Sequence, residues 1–273
     1  MTTGLSSLYE RWESCTACEL GDRRRSLNAD MGRGGGALRG VMFVCESVTA
    51  FDEAAGQALS VTSPYGALWS EVLDKLNFHA VYKTSLVSCR SSAPWLDPAT
   101  GAQRRDFRTQ LPLWSDTPPS KTQVAACLPR LHEEIYLVDP LYIVALGTTV
   151  AEALLGDSCP MTKMRGANVP IQIPGRTHRA VLTDKKRVWG RKQHGTMYYP
   201  TEQNTVEYIM IPTYDPGYII RRGEDYSKDA PLRVFAEDIK KVLSMYEKYM
   251  VEAMGVYPDQ YTPVDDELED EHG

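Results

Sequence analysis

No stretch of the 273-residue chain approaches the roughly 18 consecutive apolar residues of a membrane-spanning helix. The N-terminus lacks a basic segment leading into an apolar one, so no secretory leader is expected. No internal repeat runs through the sequence, and a second close cysteine pair is missing: only Cys15 and Cys18 form a C-x2-C. These absences point to a cytoplasmic, thiol-reducing setting, where the six cysteines read as ligands or core residues before disulfides. With 42% hydrophobic residues the chain is able to bury one large core. The expected organisation is a single monomeric domain over residues 1–258, with inserts at about 90–122 and 165–205 and an acidic tail at 259–273.

The formal net charge of −6 comes from that tail. Residues 259–273 carry seven acids and no Lys or Arg, so the rest of the chain stands at +1. The tail is expected to be disordered and solubilising. Within the body, the stretch from Lys163 to His194 holds nine basic residues against one acid, Asp184. Trp189 lies among them, and Tyr198 and Tyr199 follow. Cations interleaved with aromatics suit phosphate contact and base stacking, so nucleic acid is the expected partner.

Strand and helix periods alternate along the chain. Residues 40–45 are a short apolar run of the kind that forms a buried parallel strand, and 81–87, 141–146 and 208–211 read as further strands. Between them, residues 64–76 and 123–138 carry apolar positions at helical spacing, and 148–155 begins at a hydroxyl cap. A long closing helix is expected over 232–254, with Pro231 at a favourable first position. The predicted fold is α/β, a four-stranded mostly parallel sheet with helices on both faces. Ligands bind such sheets at the carboxyl ends of the strands. Those ends carry Cys45 and Glu46, Ser85 to Cys89, Gly147 and Thr148, and Tyr214 and Asp215.

Cys15, Cys18, Cys89 and Cys127 form a candidate metal quartet. Four thiolates satisfy either zinc or an iron–sulfur cluster. One close pair with two distant single thiols favours a [4Fe–4S] cluster, with Zn as the alternative. Cys45 and Cys159 read as buried and unligated.

Taken in order, these segments resemble the iron–sulfur (family four) uracil-DNA glycosylases. The carrying residues are Cys15-Thr-Ala-Cys18, Phe43-Val-Cys-Glu46 with Asp52, Glu53 and Gly56, and Thr84-Ser85 leading to Cys89-Arg90. Cys127-Leu-Pro129, Ile143 to Gly147, Arg165-Gly166 and Pro212-Thr-Tyr-Asp215-Pro216 complete the set. The match covers about residues 8–245 outside the two inserts. It implies a three-layer α/β/α sandwich, a [4Fe–4S] cluster, and excision of a base flipped out of DNA. Arg165, Lys185, Lys186, Arg187, Trp189, Arg191, Lys192 and Tyr214 are the expected DNA contacts.

Three pocket positions depart from the family pattern. The Asn that reads uracil's edge is Ser85, the Pro-Phe-Val-Gly whose Phe stacks on uracil is replaced by Ala58 to Val61, and the His of the closing motif is Asp215. An ionised aspartate accepts a hydrogen bond where that histidine donates. Glu46 is retained, so Glu46 and Asp215 are the expected catalytic carboxylates. Cys45, Ser47, Leu59, Tyr65 and Ser85 are the expected base pocket. The expected reaction is hydrolysis of an N-glycosidic bond to a modified base, such as a bulky hypermodified cytosine of phage DNA, in an anti-phage setting. Two alternatives stay open: a uracil-DNA glycosylase of base-excision repair, and a catalytically inactive DNA-binding homologue.

Overall fold

In β1 (Val41–Ser47) every residue from Val41 to Cys45 is buried, as a strand covered on both faces requires. Val41, Phe43 and Cys45 enter one core, while Met42 and Val44 enter the other. The computed structural model describes residues 2–22, 40–174, 205–223 and 230–254. In it β1 pairs in parallel with β2 (Val81–Val87) on one side and β5 (Tyr142–Leu146) on the other. Between β2 and β5 lies a separate two-stranded sheet, β3 (Ser92–Pro94) with β4 (Trp114–Asp116). Beyond β5 come β7 (Thr205–Thr213), parallel to it, and β6 (Val169–Pro174), antiparallel to β7.

The sheet order is therefore β2-β1-β5-β7-β6. The sequence predicts four strands, and the fifth, β6, lies in the stretch read as a basic insert. Its burial alternates strictly, with Val169, Ile171 and Ile173 inward. Pro170 and Pro174 are tolerated because β6 is an edge strand, with no further partner to serve among the described residues.

Helices cover both faces. On one lie α3 (Pro64–Lys75), α7 (Pro216–Arg222) and α8 (Pro231–Met254), packed through Trp69, Ile219 and Phe235. On the other lie α4 (Lys121–Val138) and α5 (Thr148–Leu155), packed through Leu131, Ile135 and Leu154. This is the three-layer α/β/α sandwich. The N-terminal α1 (Thr2–Glu13) lies on α4, and the short α2 (Ala50–Ala55) and α6 (Met161–Met164) follow β1 and α5.

Helix α4 starts two residues earlier than the periodicity predicts. Ser120 accepts the Gln123 amide at 3.2 Å while the Gln123 side chain accepts the Ser120 amide at 2.9 Å, a reciprocal cap. Asp139, in the left-handed conformation at φ 48°, ends the helix.

Candidate active site

Four strand ends converge. Cys45 stands opposite Ser85 in the β1–β2 register, and Leu146 opposite Thr213 in the β5–β7 register. The chain then leaves β5 through Gly147 (φ +97°), where a methyl group would sit 3.2 Å from the Asp215 Cβ. Glycine at 147 thus lets Asp215 lie directly against the β5 turn.

Asp215 is the N-cap of α7, and its Oδ2 accepts the Tyr218 amide at 3.0 Å. Burial raises its carboxyl to about 6, and the nearby charge of Glu46 pushes the same way; the Tyr218 amide and Arg221 oppose the shift. Glu46 and Asp215 are therefore electrostatic neighbours. Glu46 is half-buried and makes no hydrogen bond or ion pair among the described residues. Cys45 feels all three nearby carboxylates, Glu46, Asp215 and Asp52. Burial first, then the charges of Asp52, Asp215 and Glu46, raise its thiol well above the ordinary range, so it stays protonated. Its Sγ lies 3.9 Å from the Ser47 carbonyl oxygen.

Leu59, one of the expected pocket residues, is held in a strained conformation. It is buried with φ +50°, a region that non-glycine residues adopt only when their surroundings enforce it. Three contacts do so. Lys83 donates to the Leu59 carbonyl at 3.3 Å, and Asp52 accepts the Ser60 amide at 2.8 Å. Gly66, in the first turn of α3, lies so close that a methyl group there would be 2.1 Å from the Ser60 carbonyl oxygen. Asp52 also completes a capping box with Thr49, through bonds of 2.9 and 2.8 Å from its amide and hydroxyl. Asp52 is thus a fastener between two site loops.

Tyr65 also reaches the site. Its ring tip lies 3.3 Å from where a Gly217 side chain would begin, and the Asp215 Oδ2 lies 2.8 Å from the same point. Only a glycine at 217 allows the tyrosine and the carboxylate to share that space.

Ser85 is wholly buried, and its hydroxyl donates to the Val87 carbonyl at 3.1 Å. Its own carbonyl accepts from Arg130 in a close contact. Arg130 belongs to a buried ion pair with Glu134, both residues at most 2% exposed. Glu134 takes three further hydroxyl donors: Thr84 at 2.9 Å, Tyr82 at 2.8 Å and Tyr9 at 2.9 Å. This network joins α1, β2 and α4 beneath the Ser85 end of the site.

At the opposite edge, Arg165 pairs with Asp238 at 3.3 Å and lies 5.9 Å from the Tyr214 ring centre. Asp238 also accepts from Thr213 at 2.7 Å. Gly166 at φ +65° leaves room for this carboxylate, 2.5 Å from where a side chain would start. Arg165 is one-third exposed at the rim. The other expected DNA contacts, Lys185, Lys186, Arg187, Trp189, Arg191 and Lys192, lie outside the described residues, as does the acidic tail.

No disulfide joins any of the six cysteines. Cys45 and Cys159 are buried, as expected. Cys18, Cys89 and Cys127 pack against one and the same core. Cys127 Sγ accepts from the Ser88 amide at 3.4 Å, and Cys15 Sγ from the Ala17 amide at 3.5 Å. Glu19 accepts from Gln123 at 2.8 Å, fastening the C-x2-C loop to α4. Soft thiol donors with amide hydrogen bonds to sulfur suit a cluster. Among the described residues, however, no group of three or more His, Cys, Asp or Glu side chains is drawn together closely enough to hold an ion.

Lys83 and Gly66 beside Leu59, Gly217, and the Arg130–Glu134 pair are the parts of the site that sequence reasoning missed, as is the bond from the Ser60 amide to Asp52, itself one of the motif residues. Arg130 and Glu134 show only helical i, i+4 spacing in the sequence, which more often marks a solvated pair.

Two comparisons with known proteins bear on this arrangement. The uracil DNA glycosylase superfamily model matches residues 32–240. A type-4 uracil-DNA glycosylase of Pyrobaculum aerophilum is 30% identical over 153 residues, which is 55% of this chain and 64% of that protein. The aligned region thus spans slightly less than two thirds of that relative's length.

Proposed function

The chain belongs to the uracil-DNA glycosylase superfamily, and we propose that it hydrolyses the N-glycosidic bond of a base other than plain uracil. The observation that carries this reading is the carboxylate pair Glu46 and Asp215, with Asp215 where the family pattern has histidine. The proposed base is an amino-bearing, cytosine-type pyrimidine with a bulky substituent, as in hypermodified phage DNA, and the biological setting is anti-phage defence. Ser85 and Leu59, in place of the amide and aromatic, support a pocket of different pattern.

In the proposed reaction, water attacks C1′ as the C1′–N bond breaks and its electron pair leaves with the base. The Glu46 carboxylate stabilises positive charge on the sugar and takes the proton from water. Asp215, with its carboxyl raised to about 6, supplies a proton to the departing base. This revises the expectation that an aspartate at 215 acts only as an acceptor: burial beside Glu46 brings its protonated form within reach. Cys15, Cys18, Cys89 and Cys127 would hold a [4Fe–4S] cluster. When bound, the cluster would supply cross-linking of the N-terminal loop to α4 and no step of the hydrolysis.

The test is base release from matched DNAs containing cytosine, uracil, hydroxymethylcytosine or glucosylated hydroxymethylcytosine. Release from a substituted cytosine, reduced roughly 100-fold or more by Glu46→Gln with DNA binding retained, is the expected result. Release from uracil alone sinks the substrate assignment. Binding without release from any of them favours the inactive homologue.

A further inference from the structure

The insert between β2 and α4 folds into a knob with an unusual ring of hydrogen bonds. Trp95, Arg104 and Leu113 recur every nine residues. The Trp95 amide donates to the Leu113 carbonyl at 3.0 Å, Arg104 to Trp95 at 2.8 Å, and Leu113 to Arg104 at 2.9 Å. Two turns of the same design project from this ring. In each, an aspartate accepts from two following amides and a threonine hydroxyl: Asp97 with Ala99 and Thr100, Asp106 with Arg108 and Thr109. Each ends in a left-handed residue, Gly101 or Gln110. Gln110 also donates to the Phe107 carbonyl at 3.1 Å, bracing the second turn.

That second turn carries Phe107, 78% exposed. Four of the eight exposed large hydrophobic residues among those described lie on this knob: Trp95, Leu96, Phe107 and Leu111. An apolar patch held out by a rigid frame marks an interaction surface. Its chemistry is specific. Arg108 lies 5.1 Å from the Phe107 ring centre and Arg104 lies 5.4 Å from that of Trp95. Asp106 is committed to its own turn, while Arg105 and Arg108 make no ion pair among the described residues. Rings with one guanidinium each, on a segment whose aspartates are engaged internally, match stacked bases flanked by phosphates.

The knob stands on the site's side of the sheet. It departs from the carboxyl end of β2, and Asp116 ties it to Arg90 at 2.5 Å and to the first amide of α2 at 3.3 Å. We infer that this knob is a second nucleic-acid contact, with Phe107 stacking on an unpaired or displaced base and Arg105 and Arg108 meeting the adjoining phosphates. The inference rests on the proposal that DNA is the substrate, and goes beyond it in placing a contact outside both the pocket and the basic insert.

The experiment measures dissociation constants of the full chain for a single-stranded and a gapped duplex oligonucleotide over a range of salt. Phe107→Ala is expected to weaken binding roughly 5- to 100-fold with an unchanged salt slope, and Phe107→Trp to restore it. Arg108→Ala is expected to lower the slope of log K against log salt by about 0.7–0.9. Phe107 is exposed, so its variants should melt as the wild type does. Equal binding by wild type, Phe107→Ala and Arg108→Ala overturns the inference while leaving the proposed chemistry standing. So does a change confined to self-association or another protein contact. Knob-dependent binding without base release from any DNA supports the inference and defeats the proposed function instead.

Discussion

Asp215 caps its own helix: its Oδ2 accepts the Tyr218 amide at 3.0 Å, while the Glu46 charge helps lift its carboxyl to about 6. The cap engages one oxygen, so a proton can reside on the other without breaking it. Base release should therefore be greatest below about pH 6 and fall about tenfold per unit above it. Asp215→Asn should abolish that pH dependence along with most activity. A wild-type profile flat from pH 5 to 8 would remove Asp215 as the acid.

The same shift has a stability consequence of opposite use. Because the folded carboxyl is raised from 3.8 to about 6, its contribution is fully present below pH 3.8 and lost as pH rises through 6. The lost amount is on the order of 2–3 kcal/mol. Asp215→Asn, which retains a capping oxygen, should melt higher than the wild type at pH 7.5 and match it near pH 4. Melting curves at the two pH values decide this.

Removing one partner from the buried Arg130–Glu134 pair leaves the other charge without compensation. Arg130→Met should cost about 3–5 kcal/mol in urea unfolding. It also frees the Ser85 carbonyl, so activity should fall further than lost folded protein explains. Stability within about 1 kcal/mol of wild type would mean that the pair is solvated.

Gly66→Ala inserts a methyl group against the Leu59–Ser60 backbone. The loop must shift, at roughly 1–3 kcal/mol, and base release should drop while duplex affinity holds. Gly56→Ala is the control: it places a side chain at a positive φ of 69° but meets nothing within 4 Å, so it should lose stability without losing turnover per folded molecule.

Anaerobically purified protein should contain iron and acid-labile sulfide, both reduced by Cys18→Ser or Cys127→Ser and unaffected by Cys159→Ser. Stoichiometric zinc in place of iron would overturn the cluster.

The sheet was legible because β1 and β5 are short apolar runs and β2 and β7 each end in one or contain one, at Leu86-Val87 and Tyr208 to Ile211. β6 was not, since its prolines obscure an alternation that is regular at Val169, Ile171 and Ile173. Glu46 and Asp215 are legible as candidates because both follow strand ends and fall within motifs of the family pattern. The contacts that set the site up could not. Gly66 against Ser60, Lys83 to the Leu59 carbonyl, and Arg130 to the Ser85 carbonyl are meetings of backbone with distant residues, and backbone atoms leave no trace in a residue pattern.

The order β2-β1-β5-β7-β6 also determines when the site comes into existence. Glu46 and Asp215 stand on β1 and on the residue run beyond β7, and only β5 links those strands. β5 is separated from β1 by β2, the knob and α4. Closing so long a loop is entropically slow. A chain in which β5 has not paired with both β1 and β7 therefore holds its two carboxylates apart, and its acid gains raised affinity for protons only once both pairings are made.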